Sequence, residues 1–244
     1  MHKTIFLGAS ALMAVCAVGA SRADDFTDDF RGEKPAVQTA DRLEWAWDGG
    51  DRLAVAVPGT VHYQASGSPR VIVRGPADLL ARVRYDHGEL RMENDFFGSF
   101  SDEKLDVTVS GTPLRRVSVA GSADVELGEL HQDRLVLSIA GSGKVAASGQ
   151  ADDLSLHIAG SGRGDLARLS SKSFDAHIAG SGKVDAGGAE QGSVSIAGSG
   201  EVQFATAMPK DMNVHFTGSG IVRDANGQVI GRNEARLHRD ERTR

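Results

Sequence analysis

Cysteine is nearly absent from the 244 residues: there is one, Cys16, inside a segment read below as removed on export. Disulfides and thiol chemistry are therefore excluded from the rest of the chain, which must hold together by burial and hydrogen bonding. Proline numbers six and aromatic residues make up 5%; with no G-X-Y period either, collagen and Pro-rich disorder are excluded. Positive charge is in deficit, 27 Lys and Arg against 33 Asp and Glu, with a pI near 5.7, which argues against a nucleic-acid-binding surface. The one long apolar run, Ile5 to Ala20, is 16 residues, short of the roughly 20 a spanning helix needs. What is abundant is glycine, 30 of 244 or about 12%, against roughly 7% in an average chain. The remainder, 40% apolar and 25% charged, is ordinary for a globular chain of one or two domains.

His2 and Lys3, the apolar run, and then Ser21-Arg22-Ala23 follow the plan of a secretory signal peptide with a small-x-small cleavage site, so residues 1–23 are read as an export signal. An uncleaved N-terminal anchor is the competing reading. Met13-Ala14-Val15 lacks the small residue expected just before a lipid-modified cysteine at Cys16. Cleavage removes Lys3 and Arg22, leaving 25 basic against 33 acidic residues, a charge of −8. The expected location is periplasmic, cell-surface or extracellular. Residues 24–42 read as an acidic, flexible leader.

The glycine excess is periodic. Six segments align without gaps: VSVAGSADVEL (117–127), LSIAGSGKVAA (137–147), LHIAGSGRGDL (156–166), AHIAGSGKVDA (176–186), VSIAGSGEVQF (194–204) and VHFTGSGIVRD (214–224). Their first glycines, Gly121, Gly141, Gly160, Gly180, Gly198 and Gly218, are 20, 19, 20, 18 and 20 residues apart, a fixed period that marks a solenoid. Val119, Ile139, Ile158, Ile178, Ile196 and Phe216 alternate with the polar Ser118, Ser138, His157, His177, Ser195 and His215. That is strand periodicity, and the leucine and asparagine framework of a leucine-rich repeat is missing. The expected fold is all-β: a right-handed parallel β-helix of about 18–20 residues per coil. At about 3.3 Å per extended residue a coil is a loop of about 66 Å, enough for three sides. Gly-Ser-Gly then marks a corner where positive φ or close backbone approach is needed, and Ser122, Ser142, Ser161, Ser181, Ser199 and Ser219 form a structural ladder whose hydroxyls are each able to donate to one neighbour and accept from another, the alternative being a row of nucleophiles.

The repeated AGSG behind an alternating apolar strand resembles the auto-transporter adhesin head, or GIN-domain, family, formerly a domain of unknown function. The segments PRVIVRGPADLL (69–80) and DHGELRM (86–92) resemble that family's N-terminal half, and the likeness spans roughly residues 43–222. It implies a right-handed β-helix-like fold in exported bacterial proteins and carries no catalytic residues. Two departures, Ala123 for the second glycine of the first unit and Gly164 for the usual valine of the third, predict distorted coils.

Residues 43–116 carry strand signals at Leu43–Trp47, Leu53–Val57, Val61–Ala65, Val71–Val73, Val83–Tyr85, Glu89–Met92 and Leu105–Val109, with turns that include His87-Gly88. One helical turn is expected at 76–81. These strands continue or cap the stack, whose end coil would otherwise expose unpaired backbone. After the repeats, at 117–222, Asp224-Ala225-Asn226-Gly227 offers a hairpin turn, and 223–244 is a charged tail. A self-exporting adhesin would need a membrane β-barrel, so any carriage to the surface is expected to depend on another protein.

Chemistry-bearing patterns are few. His157 and His177 hold equivalent places on neighbouring coils and are the weak candidates for a metal, although a structural zinc normally takes four ligands and the next ladder members are serines. Lys144, Arg163 and Lys183 form a positive contact stripe suited to acidic glycans, against which stands an ordinary solvated face. The repeats lack the aspartates of calcium-binding nonapeptides, a G-x-S-x-G elbow and a phosphate loop. Asp106, Asp133, Asp152, Asp153, Asp165 and Asp185 leave a carboxylate pair open. The function expected is therefore an exported, non-catalytic β-helical module of binding or adhesion type, without cofactor or nucleic acid. Its partner would be an envelope, glycan or protein surface. The alternatives are a polysaccharide hydrolase or lyase built on a β-helix, and a self-assembling envelope protein that forms homo-oligomers.

Overall fold

The computed structural model describes residues 32–93, 104–206 and 209–231. The export signal expected at 1–23, residues 24–31 of the expected leader, and the expected tail beyond residue 231 lie outside the described residues. Strands make up 68% of the described residues, which form a parallel β-solenoid of about five turns. Among the described residues no helix is long and apolar enough to cross a membrane.

The first strands are β1 (Val37–Gln38), β2 (Arg42–Ala46), β3 (Arg52–Ala56), β4 (Gly59–Gln64) and β5 (Arg70–Arg74); β2 and β4 alternate buried and open positions, whereas β3 and β5 have apolar centres buried on both faces. The expected single helical turn follows as α1 (Ala77–Leu80), then β6 (Val83–Asp86), β7 (Glu89–Met92) and β8 (Leu105–Ser110). β3 and β4 form one layer, and β7 and β8 form the layer beneath it, paired in parallel as β3–β7 and β4–β8. β2, β5 and β6 close this end by antiparallel pairing. The leader expected over 24–42 is anchored from Glu33 onward, because Glu33 N–H donates to the Tyr85 carbonyl and β1 pairs antiparallel with β2.

The repeats then stack on β3 and β4 through β9 (Arg116–Gly121) and β10 (Asp124–Gly141), followed by β11 (Lys144–Gly160) and β12 (Arg163–Gly180). The later coils are β13 (Lys183–Ala186) with β14 (Ala189–Gly198), then β15 (Glu201–Phe204) with β16 (Asp211–Gly218). β17 (Ile221–Arg223) and β18 (Val229–Gly231) close the far end as an antiparallel hairpin. Its turn is the expected one, with the Asp224 carboxylate accepting the N–H groups of Asn226 and Gln228.

Register converts the aligned repeats into columns. Val107, Val61, Val125, Val145, Gly164, Val184, Val202 and Val222 occupy one inward position in successive layers, and Val55, Val119, Ile139, Ile158, Ile178, Ile196 and Phe216 occupy another. Burial of these side chains is the main stabilising term. Coil-length differences are absorbed at the second corner: register shifts fall between Leu127 and Leu130, and between Ala146 and Ser148. In the first of these Glu129 takes a positive φ of 52°. Distortion beside Gly164 is thus confined to that second shift, while Gly164 itself stays in register with Val145 and Val184. Ala123 is fully buried, and Lys144 N–H bonds its carbonyl as Arg163 N–H bonds that of Gly143.

Candidate interaction faces

The AGSG corner is held by main chain. Ser142, Ser161, Ser181, Ser199 and Ser219 N–H groups donate to the carbonyls of Gly121, Gly141, Gly160, Gly180 and Gly198 at 2.8–2.9 Å. All six ladder serines are exposed, and among the described residues no hydrogen bond joins one ladder hydroxyl to the next. The ladder is therefore in register, but it is carried by the peptide groups and not by a chain of hydroxyls.

Two faces with different chemistry follow. On the arm after the corner, Lys144, Arg163 and Lys183 do stack as neighbours, and the next position in the column is Glu201. The adjacent outward column holds Glu126, Ala146, Asp165, Asp185, Gln203 and Arg223. Lys144 Nζ lies 3.7 Å from Asp165, Lys183 Nζ lies 3.7 Å from Glu201, and Arg223 Nε donates to Glu201 at 2.8 Å. This is a face of exposed charges largely matched among themselves, so two of the three cations expected to form a contact stripe already face carboxylates. Lys172 likewise bonds Asp152 from the next coil at 2.7 Å and holds that carboxyl below its usual range, the opposite of what a general acid needs.

The arm before the corner carries few charges. Its outward columns are Ala120, Ala140, Ala159, Ala179, Ala197 and Thr217 at one position, Ser118 (itself buried), Ser138, His157, His177, Ser195 and His215 at the next, and Arg116, Val136, Ser155, Asp175, Ser193 and Asn213 at the third. The alanine column was visible in the sequence as the first letter of AGSG, since alternation with the buried isoleucine turns it outward. Over six layers, at about 4.8 Å per step, the face is about 24 Å tall.

His157 and His177 stack face to face, with ring centroids 5.3 Å apart and planes within 3°. The pair is an aromatic stack, flanked in its column by Ser138 and Ser195. Burial, and then the neighbouring His177, push the His157 imidazole below its ordinary pKa. His177 Nε2 lies 3.5 Å from the Asp175 carboxylate.

Residues 51–227 match the family model described as "Putative auto-transporter adhesin, head GIN domain". No curated protein matches the chain by sequence. Among solved structures, a "putative adhesin" from Bacteroides fragilis is 19% identical with a TM-score of 0.60, and the match covers 79% of this chain and all of that one. That likeness shows the fold. A "putative adhesin" from Parabacteroides distasonis is 16% identical with a TM-score of 0.49, covering 75% of this chain and 95% of that one. A second P. distasonis protein, described as a "putative lipid binding protein", is 17% identical with a TM-score of 0.44 over the same shares.

Proposed function

We propose a function from one established premise: the chain belongs to the auto-transporter adhesin head, GIN-domain family. It is an exported module of binding or adhesion type that does no chemistry on its partner. It presents the alanine and serine-histidine face to an envelope, glycan or protein surface. The carrying observation is that face itself, with Ala140, Ala159 and Ala197 exposed beside Ser138, His157, His177 and Ser195 in unbroken register.

Short side chains on a rigid sheet lose little conformational entropy when a partner covers them, and the alanine and serine positions have little to desolvate, Asp175 beside His177 being the charge nearest them. The opposite arm is dressed in long Lys, Arg, Asp and Glu side chains whose ordering and desolvation would offset contact energy. Protease shaving of intact cells combined with fractionation tests the adhesion reading. The expected result is cleavage of the module from the outside; full protection in the periplasm would contradict it.

A further inference from the structure

Three segments remote in sequence bring ligand atoms together at the N-terminal cap: Glu33 from the strand-free stretch before β1, Asp48 from the β2–β3 loop, and His87 from the β6–β7 turn. One carboxylate oxygen of each acid and one imidazole nitrogen all lie within 4.8 Å of one another, and the group is open to solvent. His87 Nε2 is 3.6 Å from Asp48 Oδ2, and Nδ1 is 3.8 Å from Glu33 Oε1. Ligands about 2.1 Å from a tetrahedral ion sit about 3.4 Å apart; Nε2 and Asp48 Oδ2 are already near that spacing, while Glu33 approaches the other ring nitrogen and has to close on Nε2 from within the 4.8 Å that bounds the group.

The groups are held by others behind them. Tyr85, itself buried, donates its hydroxyl to Asp48 Oδ1 at 2.5 Å, leaving Oδ2 toward the imidazole. Asp86 accepts from His87 Nδ1, the arrangement in which a carboxylate orients a ligating histidine and leaves Nε2 for the metal. Glu33 is fixed on both sides of its peptide, by its N–H to the Tyr85 carbonyl at 2.6 Å and by the Trp45 indole N–H to its own carbonyl at 3.0 Å. His87 and Gly88 have φ of 44° and 83°, the two-residue hairpin turn that aims the ring back over Asp48.

We propose that Glu33, Asp48 and His87 form a binding site for a zinc-like divalent transition ion, with Asp86 and Tyr85 as positioning residues. An imidazole with two carboxylates and an open coordination sphere suits such an ion, whereas calcium takes oxygen ligands alone. Bound metal ties the entry segment at Glu33 to the cap.

The test is calorimetric titration of Zn²⁺, and separately of Ca²⁺, into the chain from residue 24 at pH 7.5, with thermal melts in parallel. One strong zinc site is expected, together with a metal-dependent rise in Tm. Asp48→Asn and His87→Asn, the latter tolerating the left-handed turn, should each lose at least tenfold in zinc affinity, and Asp86→Asn about tenfold. His157→Ser with His177→Ser should lose none. Zinc binding equal in wild type and His87→Asn, or calcium bound as tightly as zinc, overturns the proposal. If the Asn variants fold poorly, Glu33→Gln decides: unchanged zinc affinity in that variant also overturns it.

Discussion

Gly160 carries the repeat at the residue scale. Its φ is +124°, and an added Cβ would lie 2.5 Å from the Gly141 carbonyl oxygen. Gly160→Ala should therefore cost more than about 3 kcal/mol, combining left-handed strain with a main-chain clash. Gly121, at φ +87°, opens the ladder with nothing within 4 Å of such a Cβ, so Gly121→Ala should cost only about 1–2 kcal/mol. Gly164 has ordinary strand backbone, and its Cβ would meet the end of Leu156 at 3.1 Å and Val184 at 3.7 Å. Since Leu156 Cδ2 can yield, Gly164→Ala should gain about 0.5–1 kcal/mol. Urea denaturation of the three variants checks the order; equal costs at Gly160 and Gly121 would contradict the stacking account. His157 gives the pH counterpart. Its imidazole is depressed by burial and by His177, so the unfolded chain binds more protons than the folded one just below the ordinary imidazole value of about 6.5. Stability is complete above that value and is lost as pH falls from it through the depressed folded value. The melting temperature of wild type relative to His157→Ser should drop over that window, and a flat difference would contradict the assignment.

Coils are the elements, and they tolerate length change at one corner only. The extra residue at Gly128–Glu129 and the shift opposite Ala146–Ser148 leave the AGSG register intact on both sides. One residue inserted between Ser148 and Gly149 should cost no more than about 2 kcal/mol, the scale of an ordinary surface change. The same insertion between Ala159 and Gly160 turns buried positions outward, as any one-residue slip in a strand does, and should abolish cooperative unfolding by circular dichroism. The strand, corner and turn positions were legible in the sequence because each rests on local alternation or on a repeated glycine. What joins the serine ladder was not legible in the same letters: Ser142 and its equivalents sit at a corner where the peptide N–H bonds along the stack and the residue is exposed. The Glu33–Asp48–His87 cluster was not legible, because its members lie up to 54 residues apart and meet only through the cap's antiparallel pairings.

At the scale of the whole molecule, stacking order departs from chain order. β3 and β4 lie between the later β7–β8 layer and the still later β9–β10 layer, an arrangement that no local pattern encodes. The valine column nevertheless runs through all of these layers, so the cap and the repeats share one core. Because that core fixes every outward column in register, the two arms differ in chemistry over their full height, one charged and matched, the other short-chained. Saturable binding of the fluorescently labelled chain to isolated cell envelopes tests this division most directly, with two double variants compared against wild type. Ala159→Arg with Ala179→Arg should weaken binding at least tenfold, while Lys144→Glu with Lys183→Glu should leave it within about twofold. Loss of binding in the lysine pair with retention in the alanine pair would contradict the account.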